Sequence, residues 1–330
     1  MEILSVNINN WLLLLVGFYL LVQGAEFLID GAIAVARKFG LSDLIIALTL
    51  VAFGTSAPEF GVNLFAGITG NTGIAIGNVV GSNIVNSALM LGLAGLVRQL
   101  TVRSQTVWKE LPMLILVSLL TILLANDSLL NGSLTNSFSL ADGLVLLLFF
   151  GFYLGYIVHS AIAENGKVKL PQKHEHALIW LNILKILGGT VGLMIGGGWI
   201  VDSASLIASR NGVSQSLIGL LIAIGTSLPE LATSVTAAMR RNSDIAVGNL
   251  VGSNIFNITW VLAISIIFKP MELDHISIVN MYWMIGFSLI LMLFLSFKNK
   301  QHCLHKWQSL ALIILYFGFI IYNFILKAPL

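Results

Sequence analysis

The sequence has few charged residues. Of its 330 residues, 17 are Lys or Arg and 15 are Asp or Glu, which together make 10%, whereas soluble globular proteins carry about 25%. Hydrophobic residues make up 57% of the chain, and its mean hydropathy is +0.93. So few charges cannot solvate the surface of a soluble protein of this length. The composition therefore indicates an integral membrane protein.

Two further absences exclude other kinds of protein. The formal net charge is only +2, so the chain offers no basic face to a nucleic-acid partner. It has a single cysteine, Cys303, which excludes an intramolecular disulfide and a metal site built from cysteines. No cofactor is predicted.

Apolar runs long enough to cross a bilayer, which takes roughly 20 residues, occur ten times. The predicted fold class is an all-α polytopic membrane protein with ten transmembrane helices, short loops and no separate soluble domain. The ten predicted spans cover residues 11–36, 44–69, 73–97, 108–125, 140–161, 177–207, 214–239, 244–268, 277–296 and 308–326.

Lys and Arg residues are distributed unevenly between the two sets of alternate loops. One set holds 13 of the 17, the other holds 3, and Lys185 lies within a span. Because cytoplasmic loops are enriched in these residues, the first set is predicted to be cytoplasmic and both termini to lie outside the cytoplasm. With no long loop between the fifth and sixth spans, we expect a bacterial or archaeal cell (inner) membrane.

The chain repeats itself at an offset of 171 residues. The segment IAIGNVVGSNIVN at 74–86 matches IAVGNLVGSNIFN at 245–257 at ten of thirteen positions, and GTSAPEF at 54–60 matches GTSLPEL at 225–231. Each half holds five spans, so the second half must enter the membrane from the opposite side. Inverted repeats are typical of secondary transporters, which bind their substrate near the midplane at the repeat interface. The predicted units are a first repeat (1–161), a cytoplasmic linker (162–176) and a second repeat (177–330), with the segments that match each other at about 44–97 and 214–268.

Two glutamates, Glu59 and Glu230, occupy equivalent positions near the middle of the second and seventh spans. A carboxylate at this depth costs at least ~2.5 kcal/mol and usually marks an ion or proton pathway. Each glutamate follows a proline, which cannot donate the next helical hydrogen bond, so the helix should kink or break one turn earlier. Carbonyls freed at that depth must line a polar cavity. Carbonyl oxygens beside a carboxylate suit a hard cation such as Ca²⁺, Na⁺, Mg²⁺ or Mn²⁺.

Polar side chains at helical spacing accompany both glutamates and recur in the third and eighth spans. Because four polar helix faces cannot all contact lipid, we expect them to face one another. The four faces are Thr55/Glu59/Asn63, Asn78/Ser82/Asn86, Thr226/Glu230/Ser234 and Asn249/Ser253/Asn257. For some of the asparagines, packing between helices is an equally good interpretation. These are Asn78, Asn83, Asn249 and Asn254.

Other acidic residues lie along the first and sixth spans. Glu26 and Asp30 share a face of the first span, and Asp202 matches Asp30 in the second half. They either line an ion path or reach water near the cytoplasmic end of the span.

The paired GTSxPE and GNxxGSNIxN segments resemble the α-repeats of the cation/Ca²⁺ antiporter superfamily, specifically those of prokaryotic sodium/calcium exchangers. The resemblance extends over all ten spans. It implies two inverted five-helix halves and an ion site formed by the second, third, seventh and eighth spans. It also implies exchange of Na⁺ for Ca²⁺ by alternating access, with the first and sixth spans sliding past the other eight. The implied partners are these two ions and the lipid bilayer, and no enzymatic activity is implied.

The resemblance assigns ion ligands by position. Calcium would be coordinated by the carboxylates of Glu59 and Glu230 and by the carbonyls of Thr55 and Thr226. The remaining assigned residues are the sodium ligands Ala52, Ser56, Ser82, Ala223, Ser227 and Ser253, and the inward-facing pair Asn86 and Asn257. Some exchangers carry an Asp at the position of Asn257, whereas both repeats carry Asn here. This departure leaves a site charge of −2 and leaves the coupling stoichiometry open.

Other functions stay open on the sequence alone. The nearest is a cation antiporter coupled to H⁺, or one that moves K⁺, Mg²⁺ or Mn²⁺. The four serines at the site favour sodium, because a proton carrier needs no extra hydroxyls. An intramembrane serine hydrolase is disfavoured, because no histidine lies at the depth of Ser56 or Ser227. A channel would show a continuous pore rather than a duplicated closed site.

Overall fold

The computed structural model describes residues 2–70, 72–127, 135–164, 179–210, 224–296 and 302–327. These residues are mostly helical, as the composition predicts. The α-helices are α1 (Glu2–Phe39), α2 (Asp43–Ile46), α3 (Ala52–Thr55), α4 (Ala57–Thr69), α5 (Thr72–Val85), α6 (Leu91–Val97), α7 (Leu111–Leu124), α8 (Leu140–Glu164), α9 (Ile179–Arg210), α10 (Leu228–Met239), α11 (Ser243–Phe256), α12 (Ala263–Phe268), α13 (His275–Ser296) and α14 (Lys306–Lys327). Four π-helical segments interrupt them: π1 (Ala47–Val51), π2 (Asn86–Met90), π3 (Thr106–Glu110) and π4 (Asn257–Leu262).

Several of these helices are suited to crossing a membrane. Among the described residues seven are long and apolar enough, and an eighth span results if the bent pair Asp43–Thr55 and Ala57–Ile68 counts as one. The predicted seventh span begins outside the described residues, and α10 forms its second half. The predicted tenth span coincides with the 22-residue helix α14. The predicted cytoplasmic linker lies largely outside the described residues. The chain is therefore an all-helical membrane protein with multiple spans.

The second span is broken where the sequence predicts a break. Ser56 separates α3 from α4 with φ −82° and ψ 7°, and the two helical parts meet at an angle of 51°. Ser227 precedes α10 with nearly the same backbone angles, φ −88° and ψ 7°. In both places a proline occupies the first turn of the new helix, where its missing N–H is tolerated. The break therefore places each glutamate in the first turn of a helix.

Two short antiparallel ribbons link distant parts of the chain. Strand β1 (Leu100–Val102) pairs with β4 (His302–Leu304), and β2 (Asn136–Phe138) pairs with β3 (Met271–Leu273). Both β1 and β3 directly follow a helix that contains a π-segment, and they start 171 residues apart. Each ribbon thus ties a strand of one half of the chain to a strand of the other half.

The longest helices, α1 and α9, pack against each other along much of their length, and we call them the long-helix pair. Glycines set their distance: a Cβ atom on Gly24 would lie 2.8 Å from the carbonyl oxygen of Gly189, and one on Gly17 would lie 2.9 Å from that of Gly196. Such contacts are possible only for glycine. The pair contributes most of an apolar cluster separate from the large core formed by the other helices.

Candidate functional site

The predicted polar faces meet at the centre of the helical core. They lie on α3–α4, on α5–π2, on the segment around α10, and on α11–π4. We call the polar residues that meet here the central cluster. Two of them, Asn78 and Thr226, are partly exposed. The others are buried: Thr55, Ser56, Glu59, Asn63, Ser82, Asn83, Asn86, Ser227, Glu230, Thr233, Ser234, Asn249, Ser253, Asn254 and Asn257. Ala52 is buried beside them. Ala223, which the resemblance also assigns, lies outside the described residues.

Two serine–glutamate hydrogen bonds cross between the halves of the chain. The Ser56 Oγ donates to Glu230 Oε1 at 3.1 Å, and the Ser227 Oγ donates to Glu59 Oε1 at 3.3 Å. A further contact joins the Ser82 Oγ to Glu59 Oε1 at 3.5 Å. Since both crossing serines sit at the helix breaks, each break directs a hydroxyl to the glutamate of the other half.

A second pair of contacts is equivalent in sequence but not in exposure. The Thr55 hydroxyl donates to Asn249 Oδ1 at 3.1 Å, and the Thr226 hydroxyl donates to Asn78 Oδ1 at 3.5 Å. Thr55 and Asn249 are fully buried, whereas Thr226 and Asn78 are partly exposed. The central cluster is therefore more accessible from the side on which Thr226 and Asn78 lie.

Asn83 and Asn254 hold the third and eighth spans together. Each side-chain amide donates to the backbone carbonyl of the other residue, at 3.1 and 3.3 Å. Their own Oδ1 atoms accept from two further amides: Asn254 from Asn86 at 3.1 Å, and Asn83 from Asn257 at 3.3 Å. Because the nitrogens of Asn86 and Asn257 are used in this way, the orientation of both amides is set by the network.

Five buried oxygens of the central cluster have no hydrogen-bond partner among the described residues. One is Thr233 Oγ1, and the other four form two pairs related by the sequence repeat: Glu59 Oε2 with Glu230 Oε2, and Asn86 Oδ1 with Asn257 Oδ1. Nearly all buried polar atoms in proteins have a partner, so four matched exceptions in one cluster require an explanation. Neither glutamate forms an ion pair within the described part of the chain. Carboxylate, amide and hydroxyl oxygens without a competing cation are the ligands that Na⁺ and Ca²⁺ prefer.

The π-helical segments border the central cluster, a feature that the sequence analysis missed. Segments π2 and π4 begin at Asn86 and Asn257, and π1 ends directly before Ala52, whose carbonyl accepts from the Ser253 Oγ at 3.5 Å. π-Helical turns occur frequently at functional sites. No local sequence rule marks them, since these segments contain no Pro or Gly that would interrupt an α-helix.

The acidic residues of the first and sixth spans lie at the surface rather than in the central cluster. Arg240 at the end of α10 forms ion pairs with Asp30 and, at 3.5 Å, with Glu26. Asp202 is exposed. A buried carboxylate that the sequence analysis missed is Glu110, whose Oε1 accepts from Gln105 at 3.2 Å and from the Tyr156 hydroxyl. It stands at the edge of a predicted span, where sequence alone does not distinguish a buried glutamate from an exposed one.

A helical protein with several membrane spans and two buried carboxylates, surrounded by hydroxyl and amide oxygens, has the fold and the kind of site that define a cation transporter. Comparison with known proteins specifies the family. The sodium/calcium exchanger protein family matches residues 9–158 and 181–325. The chain is 38% identical to the inner membrane protein YrbG of Escherichia coli, over 80% of this chain and 82% of YrbG. It is 30% identical to the sodium/calcium exchanger MaX1 of Methanosarcina acetivorans, over 96% and 98% of the two chains.

Comparison with solved structures gives the same family. The sodium-calcium exchanger NCX_Mj, in crystals soaked with 10 mM Na⁺ and no Ca²⁺, superposes with a TM-score of 0.80 at 28% identity, covering 96% of this chain and 99% of that one. The chain therefore belongs to the sodium/calcium exchanger family, as the repeated motifs predict. It is a membrane transporter and not an enzyme.

Proposed function

We propose that this chain exchanges Na⁺ for Ca²⁺ across the membrane by alternating access, with the ions bound in the central cluster. The observation that carries the proposal is the set of four buried oxygens without hydrogen-bond donors, two on glutamates and two on asparagines. They belong to segments of both halves of the chain, as a site at a repeat interface requires. Relatives named sodium/calcium exchangers over nearly their whole length support the choice of ions.

In this proposal Glu59 and Glu230 bind Ca²⁺, helped by the carbonyls of Thr55 and Thr226. Sodium uses the surrounding oxygens. The serines donate to the glutamates in the present structure, and a hydroxyl that rotates its hydrogen away offers lone pairs to a cation instead. The sodium ligands would be Ala52, Ser56, Ser82, Ala223, Ser227 and Ser253, with Asn86 and Asn257 completing the site.

The charge of the site gives a reason for obligatory exchange. Two carboxylates without a counter-charge are costly in a low-dielectric interior, so the site should not cross the membrane barrier empty. One Ca²⁺ or two Na⁺ neutralise it. A third Na⁺ would leave one positive charge, whose movement depends on voltage by ~2.3 kcal/mol per 100 mV. The central cluster would therefore change sides only when loaded.

We also propose that the chain forms ten spans in two inverted halves with both termini outside, and that the two halves are residues 1–161 and 177–330. The cross-pairing of β1 with β4 and of β2 with β3 supports this arrangement, because it recurs at equivalent places in the two halves. In this orientation the partly exposed residues Asn78 and Thr226 lie on the outer side of the central cluster. The structure would then represent a state open to the outside. The long-helix pair, which packs through glycines, would slide to close it.

The test is uptake of radioactive Ca²⁺ into Na⁺-loaded proteoliposomes that are diluted into Na⁺-free buffer. The wild-type protein should take up Ca²⁺ only while the outward Na⁺ gradient lasts. Glu59→Gln and Glu230→Gln should each lower the rate at least about a hundredfold, because a neutral amide removes half of the site charge and one coordinating carboxylate.

Glu110→Gln is the matched control, since it makes the same change at a buried carboxylate outside the central cluster. Uptake in the control should stay within about threefold of wild type. Wild-type uptake that follows a pH gradient and ignores Na⁺ would contradict sodium coupling and favour the proton-coupled antiporter. Equal losses in all three variants would contradict the assignment of the site.

A further inference from the structure

A tyrosine outside the central cluster contacts the second span just before the site. Tyr153 lies on α8 in the predicted fifth span and is 3% exposed. Its hydroxyl donates to the backbone carbonyl of Leu48 at 2.7 Å. Leu48 belongs to π1, the segment that ends directly before Ala52. The hydrogen bond therefore links α8, which contributes no residue to the central cluster, to the turn of the second span that comes just before the residues of the central cluster.

The position of this contact in π1 gives it a specific effect. A π-helical turn holds one more residue than an α-helical turn, so its presence rotates all residues that follow. Leu48 lies four residues, about one turn, before Ala52. The turn that Tyr153 holds thus directly precedes Ala52. The Ala52 carbonyl accepts from the Ser56 N–H at 3.0 Å and from the Ser253 Oγ of the other half at 3.5 Å.

We propose that Tyr153 is a positioning residue for sodium binding: its hydroxyl holds π1 in the conformation that presents the Ala52 carbonyl to the central cluster. The inference rests on the proposed function, because it concerns one ligand of that site. It predicts an effect on sodium more than on calcium. Ala52, a sodium ligand, directly follows π1. Of the calcium ligands, the Thr55 carbonyl lies three residues further along α3, and the carboxylates of Glu59 and Glu230 lie beyond the helix breaks.

The same helix provides a matched control. Tyr156 follows three residues later and is partly buried. Its hydroxyl donates to the Glu110 side chain on π3 and accepts from the Gln105 side chain at 3.1 Å. Tyr156→Phe and Tyr153→Phe each remove one hydroxyl from α8 and the hydrogen bond that it donates, and Tyr156→Phe also removes the bond from Gln105. They differ in what the hydrogen bond reaches, namely a buried side chain away from the site or the backbone of the site helix.

The experiment measures Na⁺-dependent Ca²⁺ uptake in proteoliposomes and titrates each ion separately. For Tyr153→Phe we expect the Na⁺ concentration at half-maximal rate to rise about fivefold, a change typical of one lost hydrogen bond. The maximal rate and the Ca²⁺ concentration at half-maximal rate should stay within about twofold. Tyr156→Phe should leave all three quantities within about twofold of wild type.

Replacing Tyr153 by p-aminophenylalanine restores a donor at the same place and should restore the sodium response. p-Methylphenylalanine fills the same space without a donor and should not restore the response, which distinguishes hydrogen bonding from packing. Equal behaviour of Tyr153→Phe and Tyr156→Phe, or a parallel loss of sodium and calcium response in Tyr153→Phe, would overturn the positioning role. A wild-type protein without Na⁺-dependent uptake would instead overturn the proposed function, so the two failures are distinguishable.

Discussion

The central cluster and the interface within the long-helix pair are both buried but are held together in different ways. The central cluster consists of polar side chains joined by hydrogen bonds between the two halves of the chain, such as Ser56 to Glu230. The long-helix pair has an apolar interface in which backbones touch through glycines. Each interaction in the central cluster is directional, whereas the contact between α1 and α9 follows shape alone.

This difference suits two different tasks. Hydrogen bonds fix the position of atoms and so favour a site that must hold particular oxygens around an ion. The glycine contacts join α1 and α9 into one unit. This unit meets the second helical segment through apolar side chains, among them Ile46 and Val51, so a shift of the pair there leaves no polar group unsatisfied. Binding therefore belongs to the central cluster and movement to the long-helix pair, and substitutions in the two regions should affect different steps of transport.

Gly189→Ala is expected to produce the largest difference between the transport rate and the binding affinity. A Cβ atom on Gly189 would lie 2.6 Å from the backbone nitrogen of Leu28 and 2.7 Å from the carbonyl oxygen of Gly24. Backbone atoms cannot yield as side chains do, so the two long helices must separate, at a cost of ~1–3 kcal/mol. Uptake should fall about tenfold or more, while Ca²⁺ binding to the purified protein, measured by calorimetry, stays near the wild-type affinity.

The control is the neighbouring residue. Gly188→Ala makes the same change one position away, where a Cβ atom would meet nothing within 4 Å, and uptake should be unchanged. If Gly189→Ala lowered the binding affinity as much as the transport rate, the division of tasks between the two regions would be wrong.

The next effect concerns the charge and the hydrogen bonds of the central cluster. In Asn257→Asp the amide donor to Asn83 Oδ1, at 3.3 Å in the present structure, is replaced by an oxygen, and the site charge changes from −2 to −3. One Ca²⁺ then no longer neutralises the site. Ca²⁺/Ca²⁺ exchange should therefore slow by about tenfold, equivalent to the loss of a buried hydrogen bond to a polar group.

Asn126→Asp serves as the control, because Asn126 is buried just after the end of α7 and its amide donates to the Ile122 carbonyl of the same helix, away from the central cluster. Isotope exchange of Ca²⁺ in the absence of Na⁺ measures both variants. Unchanged exchange in Asn257→Asp would show that the amide network does not set the charge that the site tolerates.

Much of the central cluster follows from local sequence rules. Pro58 breaks the second span because a proline has no N–H to donate to the preceding helical turn. The repeat predicts a second break before Glu230, where Pro229 occupies the same position. The pairing of Ser56 with Glu230 is consistent with the expectation that the four polar faces meet. These inferences need only the spacing of residues along a helix and the cost of a carboxylate in lipid.

Other features depend on contacts that spacing does not contain. The orientation of the Asn86 amide is set by Asn254, a residue 168 positions away, and the packing interpretation of Asn254 gave no hint of this role. The hydrogen bond from Tyr153 to π1 likewise joins two spans far apart in sequence. A π-turn costs little locally and is stabilised by its tertiary surroundings, so the repeat alone does not reveal it.

The smallest change in transport is expected from the ion pairs that Arg240 forms with the long-helix pair. Arg240 connects the end of α10 to Asp30 and Glu26 on α1, and all three side chains are partly exposed, at 34%, 46% and 39%. Exposed ion pairs contribute ~0–1 kcal/mol.

Arg240→Gln should weaken the present arrangement of the long-helix pair. The ion concentration at half-maximal rate, for ions supplied from the exposed side of the central cluster, should rise by less than about threefold. Salt should reduce the difference from wild type, because charges in water are screened over ~10 Å at 0.1 M. Arg103→Gln is the control, since Arg103 pairs at 2.6 Å with Asp244, a residue of α11 and not of the long helices. A tenfold effect of Arg240→Gln that persists at high salt would mean that the long-helix pair is held by a specific ionic latch and not by shape, which would remove the distinction between the two regions.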